Sequence, residues 1–135
     1  LKTRILPLIA LTGLLVAACQ TVPKSIPTTL TPAEYFQDAQ QAVSQHENYD
    51  AALVYYDTFI KRFPNDSSRI AEAQYEIAFL YYKKGDLTKS RDLFTKIVDK
   101  YKQPSADSLP RWPLVLSNKL LIIIDNDLKK SNSKK

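Results

Sequence analysis

Two stretches of the chain repeat one another at an offset of 38 residues: YDAALVYYDTFIKRFPND over residues 49–66 and LTKSRDLFTKIVDKYKQP over residues 87–104. Tyr49 aligns with Leu87, Ala52 with Ser90, Tyr56 with Phe94 and Phe59 with Ile97. A period of this length marks helical hairpins, which cannot bury their apolar faces singly and stack on one another instead. Glycine usage points the same way. Of 135 residues only Gly13 and Gly85 are glycine, too few for the tight turns of a barrel or sandwich.

The helix signals fall at matching places in both copies. Thr31-Pro32-Ala33-Glu34 supplies an N-cap, a proline at the first helical position and an early acid. Phe36, Ala39, Gln40 and Val43 then share one face of a helix that runs to about His46. Ala52, Tyr56, Phe59 and Phe63 line a second helix, ended by Pro64-Asn65-Asp66. Asp66 or Ser67 caps a third, whose face carries Ala73, Ile77, Ala78 and Tyr81 and which stops at Lys84-Gly85. Asp86 caps a fourth, lined by Leu87, Ser90, Phe94, Ile97 and Tyr101. The predicted fold class is all-α: two hairpins over residues 32–108, then a capping helix over residues 109–129 and a Lys/Ser-rich tail at 130–135.

Residues 77–94 resemble tetratricopeptide repeats, with Ile77, Ala78, Tyr81, Gly85, Asp86, Ser90 and Phe94 at that family's spacing. The first copy supplies Phe36, Ala39, Val43, Ala52, Tyr56 and Pro64, with Glu47-Asn48 standing where the second has Gly85-Asp86. The long turn at Asn65 to Arg69 is similar to that of envelope members of the family. Those include the repeat lipoprotein of the outer-membrane β-barrel assembly machinery and the repeat domain of a cell-division coordinator. The resemblance implies protein binding in a concave groove lined by the first helix of each hairpin. The matching positions are Glu72, Tyr75, Phe79, Tyr82 and Lys83 in the second copy, and Glu34, Gln37, Gln41, Ser44 and Gln45 in the first. Packing of Tyr75 and Phe79 against the last helix is the competing expectation.

The chain opens with LKTRILPLIALTGLLVAAC, in which Lys2 and Arg4 precede a 14-residue apolar core from Ile5 to Ala18. This pattern predicts a cleaved secretory signal over residues 1–18, because about 21 Å of helix is short for a hydrocarbon core of roughly 30 Å. Leu15-Val16-Ala17-Ala18-Cys19 resembles the lipobox of bacterial lipoproteins. The resemblance implies cleavage before Cys19 and a covalent lipid on its sulfur, and no other cofactor is expected. By the same resemblance, Gln20 after the cysteine favours the outer membrane, with the domain on its periplasmic face. Residues 19–31 carry two prolines and four threonines from Gln20 onward and read as a flexible linker.

Charge and chemistry exclude several function classes. The formal net charge is +5, but between Cys19 and Leu128 there are 13 basic and 14 acidic residues, so no nucleic-acid surface is expected. The sole histidine, His46, falls at a helix end. The two glycines form no phosphate loop, and Asp125 and Asp127 point to different sides of one helix. No enzyme or metal site is therefore predicted. The apolar run LLIII at 120–124 admits a strand, but its flanks favour a helix; on that helix Leu116, Leu120, Ile123 and Ile124 are expected to cover the second hairpin. Ile122 would then face outward, which makes residues 120–124 a candidate homodimer surface. Three functions follow as expectations: an envelope scaffold or assembly accessory, a structural division protein acting by self-association, and a ligand-binding transporter accessory using the aromatic strip.

Overall fold

The computed structural model describes residues 21–133. Five α-helices follow in order: α1 (Pro32–His46), α2 (Tyr49–Arg62), α3 (Ser67–Lys83), α4 (Leu87–Lys100) and α5 (Trp112–Asn132), with one 3₁₀ turn at Pro104–Ala106. No strand occurs among the described residues, and LLIII lies inside α5. The chain is an all-α stack in which α1 pairs with α2, α3 with α4, and α5 closes over α4.

Each helix start is set locally. Thr31 and Glu34 form a reciprocal capping box: the Thr31 amide donates to Glu34 Oε2 at 2.6 Å and the Glu34 amide donates back to Thr31 Oγ1 at 3.4 Å. The Thr31 amide, and after it the Thr31 hydroxyl donating to the same oxygen at 2.7 Å, hold the Glu34 carboxyl below its usual pKa. Asn48, Asp66 and Asp86 cap α2, α3 and α4 by accepting from the amides of Ala51, Arg69 and Lys89.

The turns inside the two hairpins both pass through a left-handed residue, but their hydrogen bonds differ. After α3, Gly85 takes φ 80°, its amide donates to the Tyr82 carbonyl, and the Asp86 amide donates to that of Tyr81. After α1, Glu47 takes φ 49°, with its amide donating to the Val43 carbonyl and the Asn48 amide to that of Ala42. The α3 end is a Schellman closure, whereas the α1 end is one residue wider, with Glu47 making the single 5→1 bond of the αL motif. Glycine adopts the left-handed turn freely, whereas Glu47 does so at a cost of about 1 kcal/mol. The pairing of α1 with α2 imposes the turn.

The interior divides into two clusters with α3 as their common wall. Tyr35, Ala39, Ala52, Tyr56 and Phe59 meet Ala73 and Leu80 of α3 in the first. Ala71, Tyr75 and Ala78 meet Phe94, Ile97, Tyr101 and Ile124 in the second. Small residues permit the close approach: Ala52, Ala78 and Ser90 are fully buried. The Ser90 hydroxyl donates to the Ala78 carbonyl at 2.8 Å, so its burial leaves no polar group unpaired.

Several boundaries differ from the sequence expectations. The predicted flexible linker is docked over its second half, where Ile26 and Leu30 pack on the first cluster. The connection from α4 to α5 is held down by buried Ala106 and Leu109, and by the Tyr101 hydroxyl, which donates to the Pro110 carbonyl at 2.5 Å. The capping helix begins at Trp112 and runs through Asn132, so residues 130–132 of the expected tail are helical. Leu120, Leu121 and Ile124 face the second cluster, as Leu120 and Ile124 were expected to do. Leu116 and Ile123 do not; they stay exposed beside Val115 and Ile122. The signal segment, the lipobox and Cys19 lie outside the described residues, as do Lys134 and Lys135.

Candidate functional site

The site is built on α3, which uses four sides. Ala73, Ile77 and Leu80 face the first cluster, Ala71 and Ala78 the second, and Tyr75 the incoming end of α5. The remaining side carries Glu72, Glu76, Phe79 and Lys83, spaced at i, i+4, i+7 and i+11. Between this side and α1 runs a cleft of about 130 Å³, lined by Gln40, Val43, Tyr56, Glu76, Phe79, Leu80 and Lys83.

An aromatic ladder leads away from the cleft. Tyr82 stacks on Phe79 at 6.0 Å between centroids, Phe79 on Tyr75 at 6.2 Å with planes 8° apart, and Tyr75 meets Trp112 edge-on at 5.0 Å. The rungs differ in exposure: Tyr75 is 8% exposed, Phe79 and Tyr82 are half-buried, and Trp112 is 38% exposed. An apolar strip therefore links the cleft to the first turn of α5.

Glu76 gives the cleft its electrostatic character. Burial raises its pKa, and the Glu72 carboxylate one turn earlier adds to the rise. Among the described residues five aspartates have cationic partners: Asp50 with Lys84, Asp66 with Arg69, Asp99 with Lys102, Asp125 with Arg91 and Asp127 with Lys130. No such ion pair reaches Glu76 among the described residues. Burial pushes the Tyr56 and Tyr75 phenols up as well, and the Glu76 charge reinforces both shifts.

The expected site residues are only partly brought together. Phe79 and Lys83 line the cleft, and Glu72 flanks it. Tyr75 does not; the competing expectation describes it, since α5 arrives over its ring. On α1, Gln40 and Val43 face the cleft, whereas Gln37, Gln41, Ser44 and Gln45 are exposed elsewhere. The Gln41 amide donates to Gln45 Oε1 at 3.1 Å, and Gln41 borders a depression shared with Thr21, Pro23 and Tyr55. Glu34 is committed to the cap of α1. Glu76 was missed, although its place four residues after Glu72 and three before Phe79 carried the signal.

A second depression, of about 300 Å³, lies on the other side of α3, between α2 and α4. Ile60, Ile77, Leu93 and Ile97 line it, with Asp57, Lys96 and Lys100 beside them. The Lys100 ammonium donates to Gln74 Oε1 at 3.2 Å, and burial lowers its pKa. Among the described residues no group of three or more His, Cys, Asp or Glu side chains lies close enough to hold a metal ion.

Comparison with known proteins agrees with the fold. Residues 72–103, from Glu72 through α4, match the family model described as tetratricopeptide repeat. The chain is also similar to an uncharacterized protein of Treponema pallidum (strain Nichols), 31% identical over 100 residues that cover 69% of this chain. The chain spans 38% of that relative's length. No solved structure matches it. Neither similarity points to an enzymatic family. What the chain carries is a stack of helical hairpins whose second hairpin is similar to a tetratricopeptide repeat, an architecture used for binding other proteins.

Proposed function

We propose that the protein is a lipid-anchored scaffold of a bacterial cell envelope that holds one protein partner against α1, α3 and the first turn of α5. The observation that carries the reading is the open cleft continued by the aromatic ladder to Trp112, because such a strip suits an extended segment or a partner helix. The lipobox resemblance at Cys19 supports the anchor. No helix among the described residues is long and apolar enough to cross a membrane. With Ile26 docked on the domain, the stretch from Cys19 to Ile26 spans at most roughly 25 Å, which limits how far the docked segment stands from the bilayer surface. By resemblance to repeat lipoproteins of the barrel-assembly machinery, the protein works as an accessory of outer-membrane protein assembly, on the periplasmic face.

Two measurements test the two halves. Cells fed labelled palmitate should incorporate it into the wild-type chain and not into Cys19→Ser, and the variant should leave the membrane fraction. Equal labelling of both would remove the anchor. A photo-crosslinking residue at Lys83 or Gln40 should capture one partner in membranes, while the same residue at exposed Asp92 on α4 should not. Equal capture from both places would remove the groove.

Self-association is a second reading, favoured by one observation: Ile122 is 66% exposed and Ile123 44% exposed on the outer side of α5. A crosslink from Ile122 to a second copy of the chain would decide for this reading.

A further inference from the structure

We propose that the cleft between α1 and α3 selects a partner segment carrying a lysine or arginine flanked by apolar residues, whose cation sits against Glu76 and Glu72. This inference rests on the groove reading above and names the chemistry of the partner.

The argument begins with what a carboxylate needs. A partly buried acid is stable in its charged form only when hydrogen bonds or an opposite charge replace the water it has lost. Among the described residues cations reach five aspartates, of which Asp50 and Asp99 are exposed and the other three half-buried. None of these cations pairs with Glu76, which burial already disfavours as an anion. Glu72 on the same side of α3 makes matters worse by like-charge repulsion. Lys83 lines the far end of the cleft but forms no ion pair with Glu76. Glu76 thus borders an apolar cleft with no cation of the described residues paired to it, where a cation arriving from outside meets two carboxylates.

The surroundings define the rest of the partner. Half-buried Val43 and Phe79 give the cation's flanking residues apolar surface to bury, over a floor of buried Leu80 and Tyr56, and a lone metal ion would not use that surface. Along α3, Glu76 and Lys83 are separated by about 10 Å, seven residues at 1.5 Å each. A partner acid opposite Lys83 therefore lies three residues from the basic residue in an extended segment, or seven residues away in a helical one. Charge complementarity at both ends orients the segment along the cleft.

The test uses the full chain in detergent, immobilised, with a library of random 16-residue peptides displayed on phage. Peptides whose binding is lost with Phe79→Ala are kept as groove binders. The expected result is that these carry Lys or Arg beside aliphatic or aromatic residues. Their affinity should fall at least tenfold with Glu76→Gln, less with Glu72→Gln, and should weaken as salt rises. Glu76→Gln should also melt at a higher temperature than wild type, since it removes an unpaired charge. A residue with only a structural role would lower or leave both readings together. Groove binders without a basic residue, or with equal affinity for Glu76→Gln, would overturn the inference and leave the groove standing. Recovery of no peptide that depends on Phe79 would overturn both.

Discussion

Phe59→Ala should lower the melting temperature by roughly 15–30 °C, followed as loss of helical circular dichroism. Phe59 is 0% exposed, and its ring packs against Phe36 at 5.1 Å, Phe63 at 5.3 Å and Tyr35 at 6.1 Å. Truncating a buried phenylalanine costs about 3–5 kcal/mol through lost transfer energy and the cavity left behind. Each broken aromatic pair contributes a share of that loss. A domain of this size holds only about 5–15 kcal/mol of net stability, and each kcal/mol corresponds to about 4–8 °C. Phe59→Leu, which keeps most of the volume, should cost about 1–2 kcal/mol. A shift under 5 °C for the alanine variant would mean that the first cluster is not packed as described.

Ala78→Leu should damage the second hairpin by the opposite route. Ala78 is fully buried where α3 meets α4, and its carbonyl accepts the Ser90 hydroxyl at 2.8 Å. Three added carbons have no space there, so the two helices must separate, at about 1–3 kcal/mol or more. The separation should break the Ser90 bond and loosen Phe94 from Tyr75, whose rings are 5.6 Å apart. Trp112 is the only tryptophan and contacts Tyr75, so its emission reports on this cluster. We expect its denaturant midpoint to fall, and hydrogen-exchange protection in α3–α5 to fall more than in α1 and α2. Uniform loss across all helices would show that the two clusters unfold as one unit. An unchanged Trp112 transition would refute the close α3–α4 contact itself.

Most of the helix framework was legible because its signals are short-range. A cap requires one side-chain oxygen three residues from an amide, and Thr31, Asn48, Asp66 and Asp86 each stand in that relation. Proline and glycine act on their own dihedral angles, so Pro32 and Gly85 announce a start and a stop without reference to the rest of the chain. The 38-residue repeat likewise exposed the stacking, since equal periodicity means equal faces. Fully buried Tyr35 was overlooked because Phe36, one residue on, fitted the periodic face as well. In a stacked helix more than one side is buried, and periodicity alone chooses only one.

The groove was less legible for the same reason. The face of α3 that stays open depends on where α2, α4 and α5 each land, and that is a matter of several distant surfaces at once. Tyr75 looked available until α5 placed Trp112 upon it, and Glu76 looked like an ordinary solvated acid until α1 and the Tyr56 ring closed around it.

From the sequence alone came the number of helices, the caps at Thr31, Asp66 and Asp86, the turn at Gly85, the pairing of hairpins and the small residues that let them touch. Each of these depends on residues a few positions apart, or on a pattern that repeats. The tertiary structure alone decided that Glu47 bends into a left-handed turn, that Ile26 and Leu30 dock, and that Gln40, Val43 and Glu76 share a cleft. Those outcomes depend on how helices rotate about their own axes when several faces compete for burial. A rotation of half a residue's 100° step is enough to exchange an exposed side chain for a buried one.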